Sequence, residues 1–129
     1  MKIAIVYDRF SLEKVANWVR QNENMLKNYE IYTDSRLTIL INREIPKTRT
    51  VDLGETEDTN TIAALKCVEG KVDRVVHIID MERNSGCLDE CVAFSMAMFF
   101  DVPVAMNLAT ANLILAHDHA RRVIQAILV

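Results

Sequence analysis

The stretch from Asp101 to Leu115 constrains this chain more than any other. It carries a short apolar strand, Val102–Met106, straight into an apolar helix, Leu108–Leu115. Asn107 stands at the joint, where its side-chain oxygen can cap free backbone N–H groups of the helix. A strand that feeds a capped helix N-terminus is the unit from which open α/β sheets build ligand sites. The positive end of the helix dipole then faces whatever lies beyond the strand. A second unit of this kind precedes it, with Glu69-Gly70-Lys71-Val72-Asp73, the strand Arg74–Ile79 and then Asp80.

Upstream, the same alternation repeats. Ile3–Tyr7 is a continuous apolar run, as suits a strand covered on both faces. Ser11 can cap a helix with Leu12, Val15, Ala16 and Val19 on one face and Trp18 beside them, ending near Lys27 and Asn28. Glu30–Thr33 reads as a second strand, followed by Asp34-Ser35-Arg36 and a short helix from Leu37 to about Asn42. Thr50–Leu53 reads as a third strand. Gly54 to Asn60 reads as an acidic polar loop, with Asp58, Thr59 or Asn60 capping a helix that runs through Glu69. A helix from about Leu88 to Phe100 is expected to present Cys91, Val92, Ser95 and Phe99 on one face with Leu88, and Phe94 and Met98 on another. A helix apolar on two faces must bury both, which points to an oligomer contact. The segment Ala120–Val129 fits neither helical nor strand period cleanly. It follows a polar link made of His117, Asp118 and His119.

Five strands alternating with helices predict a three-layer, doubly wound, mainly parallel five-stranded α/β sheet in a single domain spanning 1–129. Ligands in such sheets bind beyond the carboxyl ends of the strands. That rule selects Tyr7-Asp8-Arg9, Asp34-Ser35-Arg36 with Thr38, Gly54 to Asn60, Asp80 to Asn84 with Arg83, and Asn107 with Thr110. The net charge of −3 argues against general nucleic-acid binding, which needs a basic footprint. Met1-Lys2 runs directly into Ile3–Val6, too short a run for a secretory core or a membrane span. Three cysteines without framework spacing suit reduced thiols in a cytoplasm. His77, inside an apolar strand, reads more readily as a core residue than as a ligand. His117 and His119 have no further ligands at usable spacing, so neither a metal site nor a cofactor is expected.

The residues Glu69-Gly70-Lys71-Val72-Asp73, Val102-Pro103-Val104-Ala105 and Asn107-Leu108-Ala109-Thr110-Ala111, with Ile3–Val6 and the Trp18-Val19 pair, resemble methylglyoxal synthase. The same domain serves without synthase activity as the regulatory end of carbamoyl phosphate synthetase, where it binds effectors including nucleotides. The resemblance implies the fold, and an oligomer, since the enzymes are usually hexameric. Their reaction requires a carboxylate base, a histidine to steady an enediolate, and a cradle with a lysine for the phosphate of dihydroxyacetone phosphate. The histidine-aspartate pair after the first strand falls here on Asp8 and Arg9, and the cradle lysine on Leu12. The threonine-rich turn falls on Asp34-Ser35-Arg36-Leu37-Thr38. Asn60 takes the place of the catalytic carboxylate, and an amide is no general base near neutral pH. A slip of two residues would bring Asp58 there instead. The loop of Glu82 to Gly86 carries no histidine.

Three readings follow, the last being an assembly component whose pocket is vestigial and which holds no ligand. The first is a non-catalytic protein that holds a phosphorylated small molecule, a nucleotide or nucleotide-derived signal, as sensor or sequestering protein. Arg9, Arg36 and Arg83 would then supply charge-assisted bonds to phosphate. The second is a methylglyoxal synthase with relocated residues, using Asp58 or Asp8 as base.

Overall fold

The structure is a computed structural model that describes residues 1–83 and 91–128. Its five strands are β1 (Lys2–Tyr7), β2 (Glu30–Thr33), β3 (Arg49–Asp52), β4 (Arg74–Ile78) and β5 (Val104–Ala105). They form one sheet in the order β3-β2-β1-β4-β5, and every pairing is parallel. The helices are α1 (Leu12–Gln21), α2 (Glu23–Leu26), α3 (Ser35–Glu44), α4 (Thr56–Val68), α5 (Val92–Phe99) and α6 (Leu108–Leu128).

The continuous apolar runs of β1 and β4 have the cause expected of them, because helices cover both faces of the sheet. Ile3, Ile5, Tyr7, Val76 and Ile78 pack with α1, α2, α3 and α6. Ala4, Val6 and Val75 pack with α4 and α5. Ile3 and Ile5 are fully buried, each contributing about 1.5–3 kcal/mol of apolar transfer. β1 is the central strand, and the chain leaves it first towards β2 and β3 and later towards β4 and β5. The switch point therefore lies between the carboxyl ends of β1 and β4.

Helix boundaries depart from the sequence expectations in instructive ways. The first helix breaks at Asn22, whose side chain donates to the Trp18 carbonyl at 2.9 Å, and the short α2 follows. α3 begins at Ser35, because Asp34 accepts the Leu37 N–H at 2.9 Å and caps it. α4 begins at Thr56, so the acidic run Glu57-Asp58 is its first turn and not a loop, a favourable place for carboxylates at the positive end of the dipole. α4 ends in a Schellman turn with Gly70 at φ +70°, the Lys71 N–H reaching the Lys66 carbonyl at 2.9 Å. α5 ends in the same way with Asp101 at φ 58°, the Val102 N–H reaching the Ala97 carbonyl at 2.7 Å.

α5 buries Ala93 and Ala97, while Val92 and Phe99 of one expected face and Met98 of the other are exposed, so the face turned into the domain is neither of the two expected. The two alanines admit close packing against Ala63 and Cys67 of α4, which larger side chains would prevent. Residues Asn84 to Leu88, named above within the loop and helix readings, lie outside the described residues, as does Val129. α6 runs unbroken from Leu108 to Leu128, so His117, Asp118 and His119 are helical and not a link. Asp118 is buried in it, accepting from Arg74 Nη2 at 2.9 Å and from the Tyr29 hydroxyl at 2.6 Å.

Candidate functional site

At the carboxyl edge, the ends of β1 and β4 are tied together by Asp8. Its carboxylate accepts the Ser11 hydroxyl at 2.8 Å and the Asp80 backbone N–H at 2.9 Å. The Asp80 carboxylate in turn accepts the N–H groups of Glu82 and Arg83, each at 3.1 Å. Arg9 lies over the Phe10 ring at 4.7 Å and Arg83 at 5.8 Å, so two guanidinium groups share one aromatic platform. Arg83 also lies 3.9 Å from Asp80. The expected site residues Asp8, Arg9, Asp80 and Arg83 are thus brought together at the switch point.

A second cluster sits beside it on β1 and β2. The Tyr7 hydroxyl donates to Asp34 at 2.6–2.7 Å, and the Thr56 hydroxyl reaches the same carboxylate at 2.6 Å. Burial and the Asp34 carboxylate together push the Tyr7 phenol far above its usual range, so it stays a donor. With Leu37 N–H as third partner, Asp34 is fully engaged inside the protein. Ser35 and Gly54 are engaged as well. The Ser35 hydroxyl lies 2.8 Å from Asp52 Oδ1 and 3.1 Å from the Gly54 carbonyl, while the Gly54 N–H donates to Asp52. Gly54 takes φ +95°, which a side chain would strain. These three residues build the wall of the edge; their polar groups bond within the chain.

Arg36 is exposed on the first turn of α3, with no ion-pair partner among the described residues. Thr38 is buried, and its hydroxyl has no partner among the described residues. Asn107 accepts the Thr110 N–H at 2.8 Å, so the expected cap of α6 is present. Asn60 accepts the Ala93 N–H at 2.9 Å and thereby fastens α4 to the start of α5. Asp58 is exposed on the first turn of α4.

His77 lies one residue before the end of β4. The alternation along β4 turns it to the side of Val75, towards α4 and α5. It is buried, and burial lowers it from 6.5 to about 4, against the opposing pull of the Asp8 charge. The imidazole is therefore neutral at pH 7, and Nδ1 has no partner among the described residues. Sequence reasoning did not find Phe10 or the Tyr7–Asp34–Thr56 network. One local signal existed: a tyrosine ending an apolar strand must place its hydroxyl on a polar partner. Among the described residues, no group of three or more His, Cys, Asp or Glu is placed to hold a metal, and no helix is long and apolar enough to cross a membrane.

An all-parallel sheet of this order, helices on both faces and a polar carboxyl edge define the methylglyoxal synthase-like α/β fold. Among solved structures, the chain is similar to the methylglyoxal synthase from Elizabethkingia anophelis NUHP1, with a TM-score of 0.74 over 88% of this chain and 76% of that one. Sequence identity between the two is 16%, so the likeness is one of fold. No protein-family model and no curated protein sequence matches the chain.

Proposed function

We propose that the domain binds a phosphorylated small molecule, a nucleotide or nucleotide-derived signal, at the carboxyl edge and does not turn it over. The observation that carries this reading is Arg36. A cation on the first turn of a helix opposes the dipole, and Arg36 has no carboxylate partner among the described residues to offset that. A bound phosphate would supply the missing partner. Arg9 and Arg83 add charge at the switch point, and Asn107 directs the positive end of α6 to the same edge. Phe10 offers an apolar surface beside these cations, which is what a nucleoside adds to a phosphate. A sensor or a sequestering protein needs no more than this.

The second reading, a methylglyoxal synthase, is favoured by the likeness of fold and by the proximity of the Asp8 charge to His77. It lacks a carboxylate at position 60, where the amide oxygen is already bonded to Ala93. A thermal-shift panel with inorganic phosphate, dihydroxyacetone phosphate, and linear and cyclic nucleotides decides between them. A ligand at a hundred times its dissociation constant adds about 2.7 kcal/mol, a rise of several degrees. The binding reading predicts that nucleotides raise Tm and that dihydroxyacetone phosphate yields no methylglyoxal. Methylglyoxal release that Asp8→Asn abolishes would establish the enzyme instead.

A further inference from the structure

α6 is apolar on two opposite sides. Ala111, Leu115 and Asp118 are buried against the domain, with Arg122 partly covered one turn further on. At 3.6 residues per turn, Leu113, Ala120 and Ile127 point the opposite way, flanked by Ala116, Val123 and Ile124. Leu113 is 71% exposed, Ile124 55% and Ile127 76%, so nothing among the described residues covers this side. Leu113, Ala120 and Ile127 are spaced by seven, as are Ala116 and Val123, which is the seam of a helix that packs on another helix. The exposed surface of α6 carries no acid, since its one carboxylate, Asp118, is buried under Arg74.

We propose that this seam pairs with α6 of a second copy of the chain, antiparallel, about a two-fold axis at Ala120. That register sets Leu113 against Ile127, Ala116 against Ile124, and Ala120 against its own mate. The small Ala116 then faces the large Ile124, and the central alanines let the helices approach closely. A parallel pair would instead set Ala116 on Ala116 and Ile124 on Ile124, leaving a gap at one level and crowding at the other, and would align the two dipoles. The exposed apolar residues of the seam offer on the order of 600 Å² per copy, more than the few hundred Å² a monomer ordinarily leaves contiguous. Two copies together reach roughly 1,200 Å², the lower bound of stable specific interfaces. The pairing is isologous, as a two-fold contact requires. It does not rest on the ligand-binding reading.

Sedimentation velocity on the full chain, from low to high micromolar concentration, tests this together with cysteine cross-linking. The proposal predicts an even number of copies, and a halved mass for Ala120→Glu, a substitution at an exposed helical position. Under mild oxidation, Ala120→Cys should cross-link to itself, and a mixture of Leu113→Cys with Ile127→Cys should cross-link between variants. Leu113→Cys alone should not exceed the unsubstituted chain, because the axis puts it about 21 Å along the helix from its mate, far beyond disulfide reach. A monomer at every concentration, an unchanged mass for Ala120→Glu, or efficient self-linkage of Leu113→Cys would overturn it.

Discussion

The Tyr7 hydroxyl donates to the Asp34 carboxylate at 2.6–2.7 Å, joining the last residue of β1 to the cap of α3. The same carboxylate takes Thr56 and the Leu37 N–H, so one side chain fixes the starts of two helices and the end of a strand. Tyr7→Phe removes one donor and leaves the carboxylate two others; the expected loss is about 1 kcal/mol. Asp34→Ala leaves three donors without their acceptor and removes a cap, and should cost about 3 kcal/mol. Urea unfolding of both variants checks the order. Equal losses would show that Asp34 is not shared.

The neutral, buried His77 makes stability depend on pH. Its folded value of about 4 lies below the ordinary 6.5. The unfolded chain therefore takes up a proton at this residue before the folded chain does. Its contribution is fully present above about pH 6.5, declines as the pH falls, and is lost once the pH has passed about 4. The integrated effect is about 3 kcal/mol. Unfolding free energies measured between pH 7 and pH 4 should fall accordingly, and His77→Leu should flatten the part of the slope that this residue causes.

Asp118 and Arg74 form a buried pair, with side chains 0% and 14% exposed. Burial pushes the Asp118 carboxyl up, but the Arg74 and Tyr29 hydrogen bonds outweigh it and hold it below the usual carboxylate range. Asp118→Ala strands the guanidinium and should cost about 3–5 kcal/mol. Asp118→Asn keeps an oxygen for the Tyr29 hydroxyl and should cost less. Denaturant midpoints for the two variants give the comparison.

Arg36→Ala should separate binding from stability. Removing a cation from the first turn of α3 should leave the protein as stable or more stable by about 0.3–1 kcal/mol, while weakening the stabilisation by nucleotides. Thermal melts with and without nucleotide measure both effects on one sample. A variant that loses stability and keeps its nucleotide response would assign Arg36 a structural role.

The strands were legible because burial on both faces writes itself as unbroken apolar runs, as in Ile3–Tyr7 and Arg74–Ile79. The cap at Asn107 was legible because capping is local. α6 was not, since Asp118 looks like a solvent-facing link until Arg74, distant in sequence, supplies its partner. The inner face of α5 was hidden for a related reason. Bulk suggested Val92 and Phe99, but close packing selected Ala93 and Ala97. In the site, the charged residues after each strand could be read from topology. The Tyr7–Asp34–Thr56 network could not, because its three members come from separate turns of the chain.

The most direct test of the central claim is a ¹H–¹⁵N correlation spectrum of the protein titrated with AMP and with inorganic phosphate. The account predicts saturable shifts at the amides of Asp8 to Phe10, Ser35 to Leu37, Asp80 to Arg83 and Asn107 to Thr110, reduced in Arg36→Ala. Shifts confined to the opposite edge, at the cavity of about 380 Å³ lined by Cys67, Asp73, Phe100 and Asp101, or no saturable shifts at all, would contradict it.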